Sequence, residues 1–327
     1  MAKDEQLIPV FMPPLAALLA RAEGLKGEPL TEAEVVRVRD NAICVMLRVE
    51  HAETLVGTRG YRDVEPENCW ADWHRLRVEM TGKGCLPKIV LCLVGASDLP
   101  ERAKPILEEL ALEHEFAARD GRMTTAFEAS SARVRPTLKP ADFKRIAKHE
   151  SVLYVLSKNF PAREAPAVSR AMLAAGVRLL RAGGVAMKCE SSGIAHRSAW
   201  WEKLAGRASG ADETPPTAAL FNAFVQYPIQ SERDLYTCGM HLLGKPDLIA
   251  ADELMPVEEV VELFRVFALY LLADCPDGDF ASGHTFGASA AAPRFRVVWE
   301  PCTGYEEDDF YFNPFGRWRF TAPTGRP

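Results

Sequence analysis

Short apolar runs alternate along this chain with stretches whose apolar residues recur every three to four positions, which predicts a mixture of strands and helices. Residues 15–23 predict a short helix behind Pro13-Pro14, stopped by Gly24. Thr31 and Glu34 have the spacing of a capping box and open a second helix that should reach Arg39. Residues 42–49 read as a buried strand and 57–68 as a loop rich in Gly, Pro, Asp and Asn. Trp70, Trp73 and Met80 carry helical spacing through 69–80. Residues 88–94 are the clearest strand of the first half, followed by a helix from Pro100 through Leu107 and Leu110 to about residue 118 and a strand at 123–128. That order gives a βαβ-like unit.

Residues 130–140, with Pro136 and Pro140 among basic side chains, read as a linker. Beyond it the pattern predicts a helix at 140–148, a strand at 151–156 and a long helix at 163–181 with Val168, Met172, Ala175 and Leu179 on one face. A strand at 185–189, a helix at 196–205 and a polar loop at 206–216 follow. The last third reads mainly as strand, at 221–227, 234–243, 246–250, 295–300 and 310–320, around one amphipathic helix at 257–272. Its acidic Glu258 and Glu259 sit at the end the helix dipole favours. The expected fold class is α+β, with two domains, each a mixed or antiparallel sheet with helices packed on it. An N-terminal α/β module would occupy 1–135 and a C-terminal α+β domain 136–327.

A chain of 327 residues, 48% hydrophobic and 26% charged, fits that division and can bury its cores without disulfide or metal staples. The net charge of −6 is spread along the chain, and the basic runs at 133–139 and 144–145 are balanced nearby. This argues against nucleic acid, whose binders neutralise phosphates with a basic face. Eight cysteines without a CxxC pair, several inside apolar runs, point to a reducing compartment. The first residues lack the pattern of a secretory signal, and no apolar run approaches the roughly 20 residues of a membrane helix. A cytoplasmic protein without membrane contact is expected.

Several catalytic signatures are missing from the sequence. It has no P-loop, no dinucleotide glycine fingerprint, no His-Glu-x-x-His and no Gly-x-Ser-x-Gly. One dispersed set of side chains has catalytic character: Glu190 at a strand end, His196 after the Ser191-Ser192-Gly193 turn, His241, and His284 between glycines. Converging in a cleft, they would hold Zn²⁺ or exchange protons; dispersed, they are histidines that cap turns or fill a core. Glu306, Glu307, Asp308 and Asp309 form an acidic run without calcium-loop spacing, which suits a solvated loop that faces a basic partner. Arg59, Tyr61, Asp63 and Trp70 mark a polar, irregular segment as a candidate N-terminal binding surface.

Two resemblances add to this reading. Asp234-Leu235-Tyr236-Thr237-Cys238-Gly239-Met240, Leu243-Gly244-Lys245-Pro246-Asp247, the helix to Leu272, and Gly283-His284-Thr285-Phe286 resemble, in order, a bacterial domain family of unknown function (number 4261). The stretch 30–35 with Arg39-Asp40, and 59–63 through Trp70, resemble proteins encoded near contact-dependent or secreted toxins. The resemblances imply a bacterial protein and carry no catalytic residues over to this chain.

The expected function is protein binding, as an immunity-type neutraliser of a toxin, for instance a basic one, or of a similar partner, with no cofactor and no metal. The alternatives are a metal-assisted hydrolase built on Glu190, His196, His241 and His284, and a non-catalytic scaffold.

Overall fold

The computed structural model describes residues 7–52, 54, 63–81, 86–210, 213–274, 280 and 282–322, the side chains of 78–81 aside. Contacts divide the chain into two units, Met1–Gly84 and Cys85–Pro327. The boundary expected at 135/136 falls inside the second unit, where strands from both sides of it share one sheet. Among the described residues, no helix is long and apolar enough to cross a membrane.

In the first unit, β1 (Leu7–Phe11) pairs antiparallel with β2 (Cys44–Arg48). Helices α1 (Leu15–Lys26), α2 (Glu32–Asp40) and α3 (Cys69–Thr81) enclose a core of Leu15, Leu19, Val35 and Trp73. Strand β2 alternates between exposed and half-buried positions, not buried throughout as expected, because a two-stranded ribbon is covered on one face only. Helix α1 continues past Gly24 to Gly27, whose φ of 79° closes it. The capping box of Thr31 and Glu34 forms as the sequence implies. The Lys26 ammonium, and then the Thr31 amide and hydroxyl, hold the Glu34 carboxyl down at about 2.

The second unit contains two sheets. The first comprises β3 (Val90–Gly95), β4 (Glu113–Ala118), β5 (Ser151–Leu156), β6 (Gly184–Cys189) and β7 (Ile194–His196), all antiparallel in the order β4-β5-β3-β6-β7. One of its faces packs on α4 (Leu99–Glu109) and α7 (Ala165–Arg181), and Gly176 lets α7 settle against Met187 and Leu91. Part of the other face lies beneath α5 (Met123–Ala132) and α6 (Pro140–Ile146), whose Met123, Phe127 and Ile146 cover Val94, Val152 and Ala186. Helices α8 (Ser198–Ala208) and α9 (Pro216–Phe224) lead to the second sheet.

That second sheet holds β8 (Ile229–Gln230), β9 (Asp234–Tyr236), β10 (Asp247–Ala251), β11 (Thr285–Phe286), β12 (Phe295–Glu300) and β13 (Arg317–Thr321), in the order β11-β12-β13-β10-β9-β8. It is mixed: β10 and β13 run parallel, because a long excursion through α10 (Val257–Ala273) and two further strands separates them. Phe264 and Phe267 of α10 pack on Phe320, at ring distances of 5.6 and 5.2 Å. Both sheets carry helices, as the expected α+β class requires.

Several expected elements change type. Residues 113–118 form a charged edge strand on β5 instead of extending α4, which ends at Glu109 with Leu110 as its cap before Ala111 turns with a φ of 49°. Residues 123–128 are helical, and Met123 and Phe127, four apart, are both buried. Residues 221–227 fall largely in α9, which starts behind Pro215. Residues 310–316 turn instead of extending β13, whose strand starts at Arg317. Residues 130–140 are integral to the unit: Val134 and Leu138 are buried, and Arg133 donates to the carbonyls of Ser192, Tyr227 (3.2 Å) and Cys238 (3.5 Å).

Candidate functional site

Helices α5 and α6 cover only part of their face of the first sheet. Below them a cross-strand row of Glu115, Tyr154, Cys92 and Lys188 crosses four strands. The part of this face around Tyr154, Val90 and Leu156 opens into a cavity of about 570 Å³. Its charged wall is an ion pair in which Lys188 Nζ stands 2.8 Å from Glu190 Oε2, with only 9% and 21% of the two side chains exposed. Glu190 lies just past β6, where its amide still bonds to Val90 O (2.8 Å), so the ladder aims this carboxylate. Burial first, then the neighbouring Cys92 and Glu190, push the Tyr154 phenol up to about 12. Burial and Glu190 likewise raise the Cys92 thiol, which leaves it protonated and unreactive. On the outer wall the Arg122 guanidinium, 2.7 Å from Asp120 Oδ2, holds that carboxyl at about 2.

The acidic run forms the neighbouring wall. Asp309 N bonds to Glu306 O (3.0 Å), Phe312 N to Asp309 O (3.1 Å), and Asp309 Oδ1 accepts from Tyr311 N (2.7 Å). These tight turns leave Phe310 44% exposed, with Lys88 Nζ 5.8 Å from its ring centre. Phe310 lines both the first cavity and a second one of about 230 Å³, whose walls also include Lys88, Phe312, Glu307, Asp308 and His241.

His241 sits in the turn Met240–Leu243 between two left-handed glycines. Its ring is 1% exposed, and neither nitrogen has a hydrogen-bond partner. Nδ1 lies 3.8 Å from Oδ2 of buried Asp247. Asp247 is itself held by Thr237 Oγ1 (2.8 Å) and Met240 N (3.2 Å) on Oδ1 and by Asn313 Nδ2 (2.6 Å) on Oδ2.

The structure therefore brings His241 and the acidic run to one cavity and places Glu190 on the adjoining one. It does not assemble the four-residue hydrolase set. His196 is in the core, edge-on to Trp201 at 4.7 Å, and burial lowers it to about 4. His284 is exposed beside Phe280 at a third cavity, with Tyr270 and Arg294. Among the described residues, no group of three His, Cys, Asp or Glu side chains has a metal-holding arrangement.

Of the N-terminal candidates, Arg59 and Tyr61 lie outside the described residues. Asp63 caps α1, where Pro14 has no side-chain acceptor, taking the amides of Leu15 (2.9 Å) and Ala16 (2.8 Å). Trp70 packs against the core and stands edge-on to His74. Sequence reasoning missed Lys188, Tyr154 and Asp247. Lys188 carried one signal, as a charge inside an apolar strand next to Glu190.

Residues 236–297 match the family model described as Domain of unknown function (DUF4261), which takes in the His241 turn, Asp247 and helix α10 and leaves out residues 30–70. No curated protein and no solved structure matches the chain.

Proposed function

We propose that this chain is a protein-binding molecule whose second unit receives a basic segment of a partner across the two cavities that meet at Phe310. In its most concrete form it is an immunity-type protein that occupies the basic cleft of a toxin in the cytoplasm. The observation that carries the reading is the loop 306–312, which sets an exposed aromatic ring among carboxylates at the junction of two cavities. Arg122 is engaged by Asp120 and Lys188 by Glu190, and among the described residues Lys88 is the one further cation on these walls. Glu115, Glu307, Asp308 and Asp309 therefore leave a net negative field. Such a field steers a basic partner, while a central aromatic supplies the anchor.

The test is calorimetric titration of the full chain with a 12-residue Arg/Lys/Gly peptide and with its Glu-substituted counterpart. Binding of the basic peptide alone is expected. It should weaken at high salt and fall by about tenfold or more in Phe310→Ala. Equal binding of both peptides, or of neither, overturns the reading. Co-purification with the product of an adjacent toxin gene tests the immunity form directly.

A further inference from the structure

The smaller cavity has a more specific chemistry than its acidic rim alone. His241 forms part of its wall, 99% buried by its 1% exposure, with both ring nitrogens unpartnered. A neutral imidazole carries one donor and one acceptor, and its neighbours select which nitrogen holds the proton. Here the fixed Asp247 carboxylate faces Nδ1 and favours the proton there. Nε2, on the far side of the ring, is left as a bare lone pair. A buried acceptor without a donor is costly, so the missing partner brings an N–H or O–H.

The remaining walls narrow the choice further. Leu86, Pro87 and Phe312 are apolar, Asn159 is neutral, and Glu307, Asp308 and Asp309 stand against Lys88, the one cation among the described lining residues, a surplus of two negative charges there. A volume of about 230 Å³ is below the range of roughly 300 Å³ and upward typical of drug-sized ligands, and is of the order of one long side chain. An ammonium is strongly hydrated and loses that water on entering an aromatic-walled site. A guanidinium is weakly hydrated, stacks on aromatic faces and presents five donors in a planar fork.

We infer that this cavity is an arginine pocket: the guanidinium of a partner's arginine enters past Phe310 and Phe312, pairs with the carboxylates of Glu307 and Asp308, and donates to His241 Nε2. The inference rests on the basic-partner reading and deepens it by naming the side chain and the residue at the base of the site.

The experiment titrates the full chain with N-acetyl-arginine amide, N-acetyl-lysine amide and N-acetyl-glutamate amide, following the imidazole ring signals of His241 by NMR. Those signals are assigned by their loss in His241→Gln. A saturable shift with the arginine compound is expected, weaker by about tenfold with lysine and absent with glutamate. The rim variant Glu307→Gln/Asp308→Asn leaves the core untouched and should weaken the arginine response by about tenfold, whether or not His241→Gln folds. Equal response to lysine, no movement of the His241 signals, or an unchanged rim variant overturns the arginine pocket. If the 12-residue basic peptide still binds in those cases, the wider cleft reading stands and only the pocket falls. If that peptide also fails to bind, both fall.

Discussion

His196 gives the sharpest test of whether a nominated catalytic histidine is a core residue. Its ring is 1% exposed against Trp201, and burial lowers its pKa from 6.5 to about 4. In the unfolded chain the same imidazole titrates at its ordinary value. Between about pH 6.5 and pH 4 the unfolded state therefore binds more protons than the folded one, and stability falls as pH falls through that window. The contribution is complete above pH 6.5 and gone below about 4. At pH 5 the loss amounts to about 2 kcal/mol, approaching roughly 3 kcal/mol at lower pH. His196→Phe keeps an aromatic ring on Trp201 but has no proton to gain. Urea unfolding at pH 7.5 and pH 5.0, followed by the amide signals of β6, compares the two proteins. The wild type should lose about 2 kcal/mol more than the variant on acidification. Other acid-sensitive groups, such as Glu34, act equally in both proteins and cancel. An equal loss in the two proteins, or a His196 ring that titrates near 6.5 by NMR, would refute the assignment of His196 to the core.

Two further substitutions test how the sites are held. Gly239 has a φ of 119°, and a Cβ there would strike the Phe224 carbonyl and come within 3.0 Å of Ser192 Cβ, so Gly239→Ala should cost about 3 kcal/mol or more by thermal or urea unfolding of the second unit. A loss within experimental error would show that the His241 turn is not fixed by this close approach. Asp63→Ala removes the acceptor at the start of α1 and should destabilise the first unit by about 1–2 kcal/mol while leaving basic-peptide affinity unchanged. Affinity that drops in Asp63→Ala with no change in unfolding would restore Asp63 to a binding surface.

Elements defined by local chemistry could be read from the sequence. Thr31 and Glu34 cap α2 through neighbours three residues apart, and the 151–156 and 184–189 strands are apolar runs bounded by turn residues. Elements decided by tertiary contacts could not. Residues 113–118 have a helical neighbour and a charged composition, yet β5 offers an edge whose hydrogen bonds outweigh local preference. Residues 221–224 are apolar enough for a buried strand, and a short apolar run cannot be told from a buried helical turn by periodicity alone. The misread linker at 130–140 has a similar cause. Its prolines and basic residues imitate a hinge, whereas Arg133 is fixed by carbonyls roughly 60 to 105 positions away.

The candidate site shows the same division at the level of function. The acidic run, Glu190 and His241 each stand out by residue type, but their meaning depends on who their neighbours are. Separated by more than 60 positions in sequence, His241 and the acidic run meet on one cavity because two different turns deliver them. Gly239 and Gly244, at φ 119° and 73°, bend the His241 turn tightly enough to bury its ring beside Asp247. Asn313 then ties the far loop to the same carboxylate, its amide reaching Asp247 Oδ2 at 2.6 Å and Lys245 O at 3.1 Å. A self-repelling acidic loop would otherwise drift toward solvent; anchored at Asn313, it is held over an imidazole that lacks a donor. Asp247 therefore connects the two halves of the site, fixing the loop through Asn313 and facing His241 Nδ1 at 3.8 Å. Under the proposed arginine pocket, a ligand that completed one half would be presented to the other.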